Sequence, residues 1–153
     1  MSSENKNEVL YYPVAFKILD PEEYGLVPVR MDGGMYYLRA PRSIHLQSGD
    51  IRSVSMGISI KIPDVFEIFT NTPGVTTPMV VHAHLDSLYD TVVETGVEVL
   101  APKILSPAYN GKELKIVIRN SSSKLTYVEK GTPLACIYFT ATPPILFGEN
   151  NNI

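Results

Sequence analysis

Cysteine, tryptophan and long apolar runs are what this sequence has least of. Cys136 is the single cysteine, and there is no tryptophan. One cysteine excludes an intrachain disulfide and favours an intracellular, reducing compartment. No run approaches the roughly 20 apolar residues that a membrane helix needs, and residues 1–9 lack the apolar core of a secretory signal. We therefore predict no membrane partner.

Basic charge is scarce as well. The 13 Lys and Arg residues stand against 16 Asp and Glu, which leaves a formal net charge of -3. No segment concentrates the basic residues, so a nucleic-acid partner, which needs a basic surface to meet the phosphates, is not predicted. A chain of 153 residues that is 44% hydrophobic and 19% charged has the composition of one globular domain with one core.

Turn residues are frequent along the chain. Twelve prolines and ten glycines separate short runs rich in Val, Ile, Tyr, Thr and Phe, and this pattern is typical of an all-β fold. We expect a flexible N-terminus at 1–9, a β domain at 10–147 and a flexible tail at 148–153. Strands are predicted at 11–17, 26–30, 35–39, 44–46, 50–61, 67–70, 79–84, 97–100, 114–120, 126–129 and 133–141.

Two runs show the two-residue period of a strand with one buried face. In 55–62 the apolar residues are Met56, Ile58, Ile60 and Ile62, and polar residues or glycine lie between them. The run 113–120 alternates in the same way and is broken only by Val117. Both segments are therefore predicted to be strands with one buried face.

Helical spacing occurs once. In 85–94, Leu85, Leu88, Tyr89 and the pair at 92–93 fall on one side, so a short helix is predicted there, capped by the residue at 86 or 87. The segment 69–78, rich in Thr, Asn, Pro and Gly, is predicted to be a long surface loop.

A spaced series of motifs covers about residues 25 to 138. The run 34–38 reads Gly-Met-Tyr-Tyr-Leu, 56–63 reads Met-Gly-Ile-Ser-Ile-Lys-Ile-Pro, 96–101 reads Gly-Val-Glu-Val-Leu-Ala, and Tyr109 and Gly111 follow. In order and spacing the series resembles the dUTPase family of trimeric nucleotide hydrolases. The resemblance implies an all-β, dUTPase-like jelly-roll barrel that assembles as a homotrimer.

The positions that this family uses for chemistry are substituted. Tyr37 stands where the family has an Asp, and Leu105 or Ser106 stands where an Asp positions the attacking water. A Leu cannot accept a proton, and a Ser hydroxyl is a far weaker base than a carboxylate. Two alignments compete for the phosphate-binding motif, at 71–75 and at 86–88, and neither supplies an Arg. The turn at 131–136 keeps its apolar strand without the family's Arg and Gln, and only Phe147 and Gly148 resemble the Gly-rich C-terminal arm.

We therefore predict a catalytically degenerate dUTPase relative, a pseudoenzyme that acts as an interaction or structural protein. No catalytic residue and no metal ligand is predicted. If the nucleotide pocket is retained, Ser87, Tyr109 and Gly111 are its predicted residues, and the resemblance implies that Tyr109 stacks under the deoxyribose. No cofactor is predicted, except Mg²⁺ if the chain is an active nucleotide hydrolase.

Two alternatives keep the nucleotide. The chain could be an active dUTP pyrophosphatase with displaced carboxylates, for which Asp86, Asp90 and Glu98 are the candidates, with Ser87 as a phosphate contact. It could also be a sensor that binds the nucleotide without turnover. Because degenerate relatives are familiar in large DNA viruses, the resemblance also implies a viral origin, a protein partner, and a place in the host cytoplasm, the nucleus or the virion. The loop at 69–78 is the expected partner-binding element.

Two sharper site motifs are interpreted structurally. His82, His84 and Asp86 match a spacing found in metal-dependent hydrolases, and both histidines would face the same side of a strand. The helices that such hydrolases need are missing, so we interpret the pair as exposed strand histidines. Cys136 lies in the apolar run 134–139, which predicts a buried, inert thiol.

Overall fold

The computed structural model describes residues 14–19, 25–64, 66–69, 73–74 and 76–152. Within these ranges it contains twelve strands, one α-helix and two short 3-10 segments at Asp32–Gly34 and Pro107–Tyr109. The strands are β1 (Ala15–Ile18), β2 (Val29–Arg30), β3 (Tyr36–Arg39), β4 (Ile44–Leu46), β5 (Ile51–Lys61), β6 (Phe66–Phe69), β7 (Thr76–Ser87), β8 (Val97–Ala101), β9 (Ile104–Leu105), β10 (Glu113–Asn120), β11 (Thr126–Val128) and β12 (Pro133–Thr142), and the helix is α1 (Tyr89–Thr95).

The strands form antiparallel sheets. One sheet has the order β1-β5-β10-β8, a second runs β2-β3-β12-β7-β6 with β9 also paired to β7, and β4 pairs with β11 in a two-stranded ribbon. Register is set by long ladders, such as Ala135 opposite Ser87 through to Thr142 opposite Val80. The prediction of an all-β fold is confirmed.

The core lies between the sheets, where the alternating runs place their apolar residues. In β5, the side chains of Met56, Ile58 and Ile60 are buried, and Ile62 follows just after the strand. In β10, Leu114, Ile116 and Ile118 are buried, while Val117 faces away from the core. Burying one such side chain contributes about 1.5–3 kcal/mol relative to leaving it exposed, so the two-residue period decides which face of each strand packs inward.

The predicted helix begins four residues later than its spacing suggested. Leu85 and Ser87 belong to β7 and pair with Ile137 and Ala135 of β12, and Leu85 is buried. Pairing in the ladder and burial outweigh the weak helical spacing of this segment. The residue at the N-cap is Leu88, without a side-chain capping bond, so the cap predicted at 86 or 87 is wrong.

The loop predicted at 69–78 is shorter than expected. Phe69 is the last residue of β6 and Thr76 the first of β7, and the register Phe69 opposite Thr76 makes this a hairpin. Pro78 is tolerated in β7, although it lacks an N–H. The sequence did not predict the strand β9, because two residues are too few to show an alternating pattern. Its residues Ile104 and Leu105 pair with His84 and Ala83.

Some predicted segments lie wholly or partly outside the described residues. The N-terminal segment 1–9 lies wholly outside them, as do the first residues of the predicted strand 11–17 and the last residue of the predicted strand 67–70. The turn at 32–34 connects β2 and β3, with positive φ angles at Gly33 and Gly34, as hairpin geometry favours. None of the helices in the described ranges is long and apolar enough to cross a membrane.

Candidate functional site

The three residues predicted to hold a nucleotide lie in two places. Tyr109 and Gly111 lie in the connection from β9 to β10, and Ser87 ends β7. Gly111 lines a shallow groove of about 450 Å³ together with side chains of β1 and β5 such as Phe16, Lys17 and Lys61. Ser87 is not among the residues that line this groove. Of the three residues, Gly111 alone lines this groove.

The ring of Tyr109 has two described contacts within the chain. It is half-buried and packs against the hydrophobic core. The ammonium of Lys112 lies 5.9 Å from the ring centroid, which is a cation–π contact.

A side chain that the sequence did not single out fixes this connection. The Nδ2 of Asn110 donates to the carbonyl of Ile62 at 2.7 Å, and its Oδ1 accepts from the N–H of Ile62, also at 2.7 Å. Asn110 therefore pairs with both main-chain groups of a buried residue just after β5. The sequence signal was the dipeptide Asn110–Gly111, where Gly111 has φ +77.

Ser87 makes a structural contact. Its Oγ accepts a hydrogen bond of 2.8 Å from the N–H of Val99. Val99 lies on β8, which is an edge strand of its sheet. The N–H of an edge strand needs a partner when it is partly buried, and the hydroxyl predicted for a phosphate supplies one.

Lys103 and Asp86 complete this cluster. The Nζ of Lys103 donates to the carbonyl of Val99 at 2.9 Å and lies 3.7 Å from Oδ1 of Asp86. The same carboxylate oxygen accepts the N–H of Ser87 at 2.8 Å. An anionic ligand could use the ammonium of Lys103 and the N–H of Ser87. Both groups already contact the carboxylate of Asp86.

The positions where the resemblance implied an Asp hold no carboxylate. Leu105 is 2% exposed and belongs to the core, while the carbonyl of Ser106 accepts the N–H of Tyr109. Tyr37, at the other substituted Asp position, pairs in register with Cys136. No carboxylate stands at these three positions.

The candidate carboxylates of the active-enzyme alternative do not converge. Asp86 is paired with Lys103, Glu98 lies opposite Arg119 in the β8–β10 ladder, and Asp90 is exposed in the first turn of α1. Across the described residues, no group of three or more His, Cys, Asp and Glu side chains lies close enough to hold a metal ion.

The two strand histidines are half-buried on one face of β7. His84 stacks on Tyr138 with ring centroids 4.9 Å apart, and its Nε2 lies 2.7 Å from the hydroxyl of Thr140. His82 stands opposite Thr140 in the ladder. The prediction that both face the same side is confirmed, although they are less exposed than expected.

Cys136 is buried, as predicted. Burial raises the pKa of its thiol above the usual 9.0, and the nearby negative charge of Asp86 raises the pKa further. A thiol with a raised pKa is a poor nucleophile at neutral pH.

Comparison with known proteins gives a consistent result at the level of fold. No protein-family model and no curated protein matches the chain. Among solved structures, the dUTPase of Staphylococcus bacteriophage 80alpha is similar, with a TM-score of 0.72 and 12% identity over 92% of this chain and 97% of that one. The dUTPase of phage phi11 of S. aureus gives 0.70 and 12% over 93% and 98%. The EIAV dUTPase gives 0.61 and 13% over 92% and 100%.

Proposed function

We propose that this chain, which has the dUTPase fold, acts without hydrolysing dUTP, as an interaction or structural protein that assembles as a homotrimer. The observation that carries the proposal is the cluster around Val99. There Ser87 and Lys103 hydrogen-bond to the main chain of Val99 on β8. Asp86 accepts the N–H of Ser87 and lies beside Lys103, so these polar groups already have partners within the chain.

The chemistry of hydrolysis supports the same conclusion. Cleavage of a phosphoanhydride needs an oriented water and charge neutralisation on the phosphates. The resemblance places the family's water-positioning carboxylate at Leu105 or Ser106, and Leu105 is buried. The positive charge of Lys103 is already balanced by Asp86.

A role in interaction agrees with what is described for a protein of similar fold. The phage 80alpha dUTPase controls the transfer of virulence genes by a G protein-like mechanism. We infer a comparable interaction for this chain, inside a cell or in a virion, with a protein partner.

The connection at 70–75 between β6 and β7 is the proposed contact, because loops on a rigid scaffold often carry binding. Replacing residues 71–74 by a Gly-Ser segment should remove capture of an identified partner without lowering the unfolding temperature; unchanged capture would dismiss this loop.

The decisive experiment is a turnover assay. The purified chain with dUTP and Mg²⁺ should release no pyrophosphate, while a phage dUTPase assayed beside it does. Calorimetric titration with the analogue dUpNHpp should give no binding heat. Measurable turnover would overturn the proposal, and binding without turnover would show that the chain is a nucleotide sensor.

One variant locates the cause. If Asp86 blocks an anion site, Asp86→Asn should remove the negative charge beside Lys103, although its amide oxygen can still accept the N–H of Ser87. Weak binding of dUpNHpp should then appear without turnover. Asp90→Asn, in exposed α1, is the matched control and should bind no better than the wild type. Turnover by Asp86→Asn would mean that the catalytic groups are present and merely blocked.

A further inference from the structure

The first half of the strand β5 has one open edge. On one side, β10 pairs with β5 over the residues from Ile51 to Ser55. On the other side, β1 pairs with residues 58–61 of β5. Among the described residues, no strand pairs with that second side of residues 51–55. The main-chain N–H and C=O groups of such an edge are a template for a further strand.

A polar groove of about 370 Å³ runs along this open edge. One wall is formed by residues 52–55 of β5, and the other by residues 41–44. Side chains alternate between the two faces of a strand, so a groove that touches four consecutive residues follows the edge of the strand and not one face. Because β10 occupies the opposite edge, the groove lies along the open one.

The second wall of the groove is held in place by the strand β11. Ile44 is buried and pairs with Val128. The Oγ of Ser43 accepts the hydroxyl of Tyr127 at 3.0 Å and the N–H of Lys130 at 3.4 Å. The groove is therefore formed before a ligand arrives, and binding does not have to order this wall.

The groove concentrates positive charge in a chain whose net charge is -3. Arg42 and Arg52 line it and are both exposed, and none of its eight lining residues is acidic. Lys115 of β10 is exposed and stands opposite Ser55, so it lies on the same face of the sheet as this hydroxyl. Carboxylates are the complementary groups for these cations and hydroxyls.

We propose that this groove binds an extended, acidic peptide segment of a protein partner, which adds as a strand to the open edge of β5. The main-chain groups of β5 supply hydrogen bonds, and the two arginines select carboxylates. Four residues of a strand span about 13 Å, so the bound segment is of similar length. The inference rests on the interaction role proposed above and gives the chemistry of the partner at a surface other than the connection at 70–75.

The first test measures binding of a labelled peptide, Thr-Glu-Val-Glu-Val-Glu-Thr, to the full chain by fluorescence anisotropy. The peptide should bind, and the same peptide with Gln in place of Glu should bind more weakly. Alternate N–H groups of a strand point to opposite edges. Methylating the N–H groups of the odd residues, or of the even residues, should therefore abolish binding of at least one of the two peptides. Two methylated peptides that bind like the unmodified one would overturn the inference.

The second test places the peptide in the groove. Arg52→Glu should weaken binding roughly tenfold, because repulsion replaces attraction at an exposed position of the groove wall. Arg30→Glu is the matched control, since it makes the same change of charge at an exposed residue of β2 in the other sheet, and it should bind like the wild type. Equal affinities of the two variants would overturn the inference.

A labelled single-stranded oligonucleotide distinguishes the peptide from a phosphate-bearing ligand. Binding of the oligonucleotide with the same dependence on Arg52 would assign the groove to phosphates and overturn the peptide assignment. Failure of the acidic peptide to bind would overturn this inference alone, because the turnover assay and partner capture through the connection at 70–75 decide the proposed function separately.

Discussion

Asn110 is a single side chain that determines how a whole connection sits on the body. Its amide bonds both main-chain groups of Ile62, so the turn that carries Tyr109 and Gly111 is tied to the end of β5. The residue type matters because only Asn or Gln offers one donor and one acceptor in this geometry. The same turn would otherwise be connected to the core mainly through the ring of Tyr109.

Asn110→Ala should lower the free energy of unfolding by about 1–3 kcal/mol, because the buried N–H and carbonyl of Ile62 lose their partners. Asn110→Asp keeps the acceptor and should still destabilise, since an oxygen would face the carbonyl of Ile62. Urea denaturation measures both changes, with exposed Asn152→Ala as the control. Equal stability of wild type and Asn110→Ala would show that the turn does not depend on the two hydrogen bonds between Asn110 and Ile62.

Cys136 leads to a prediction about pH. Because burial raises the pKa of its thiol, the folded chain holds the proton more tightly than the unfolded chain does. The resulting stability is complete below the unfolded pKa of about 9 and is lost as the pH rises through the folded pKa. Urea unfolding at pH 7 and pH 10 should therefore show a larger loss of stability for the wild type than for Cys136→Ala. An identical loss would mean that the thiol does not contribute to the pH dependence.

The raised pKa of the thiol also predicts its reactivity. In the native state, Cys136 should react only slowly with a disulfide reagent at pH 8.

The C-terminal end of the helix α1 is determined by Gly96. Gly96 adopts φ +74 at the C-cap and donates its N–H to Val92, and a Cβ at this position would lie 2.6 Å from the Cβ of Ser122. Both features require glycine. The end of α1 is therefore set jointly by a left-handed backbone and by the approach of the loop after β10.

Gly96→Ala should cost about 1–3 kcal/mol for the left-handed backbone, and the contact with Ser122 should add to this. Gly111→Ala is the matched control, because Gly111 also has a positive φ (+77) but no atom within 4 Å of its added Cβ. Thermal or urea unfolding should therefore show a larger loss for Gly96→Ala. Equal losses would indicate that Ser122 moves aside without cost.

The molecule as a whole combines a buried core with an exposed C-terminal segment. The body buries the alternating residues of β5 and β10, while residues 143–152 are exposed throughout. We therefore predict that the body folds without this segment.

Deleting residues 143–153 should leave the unfolding temperature of dilute, monomeric protein unchanged, because Ile145, Leu146 and Phe147 make no buried contact within the chain. Differential scanning calorimetry of the wild type and the deletion variant measures this. A lower unfolding temperature of the deletion variant would mean that these residues stabilise the body.

The one-dimensional pattern was sufficient for the fold class and for most strands. Side chains alternate strictly on a strand, so the period in Met56, Ile58 and Ile60 already determines which face is buried. The absence of a carboxylate at Tyr37, Leu105 and Ser106 was also visible in the sequence alone, because it is a property of the residues themselves.

Tertiary contacts were needed for the rest. Leu85 had helical spacing and Ser87 was a candidate cap, and only pairing with β12 placed both on a strand. The Oγ of Ser87, a predicted nucleotide contact if the pocket is retained, accepts the N–H of Val99. Asn110 gained its role from Ile62, far away in the sequence. Hydrogen bonds between residues distant in sequence leave no periodic trace, so local pattern could predict which residues are buried but not which polar groups would pair.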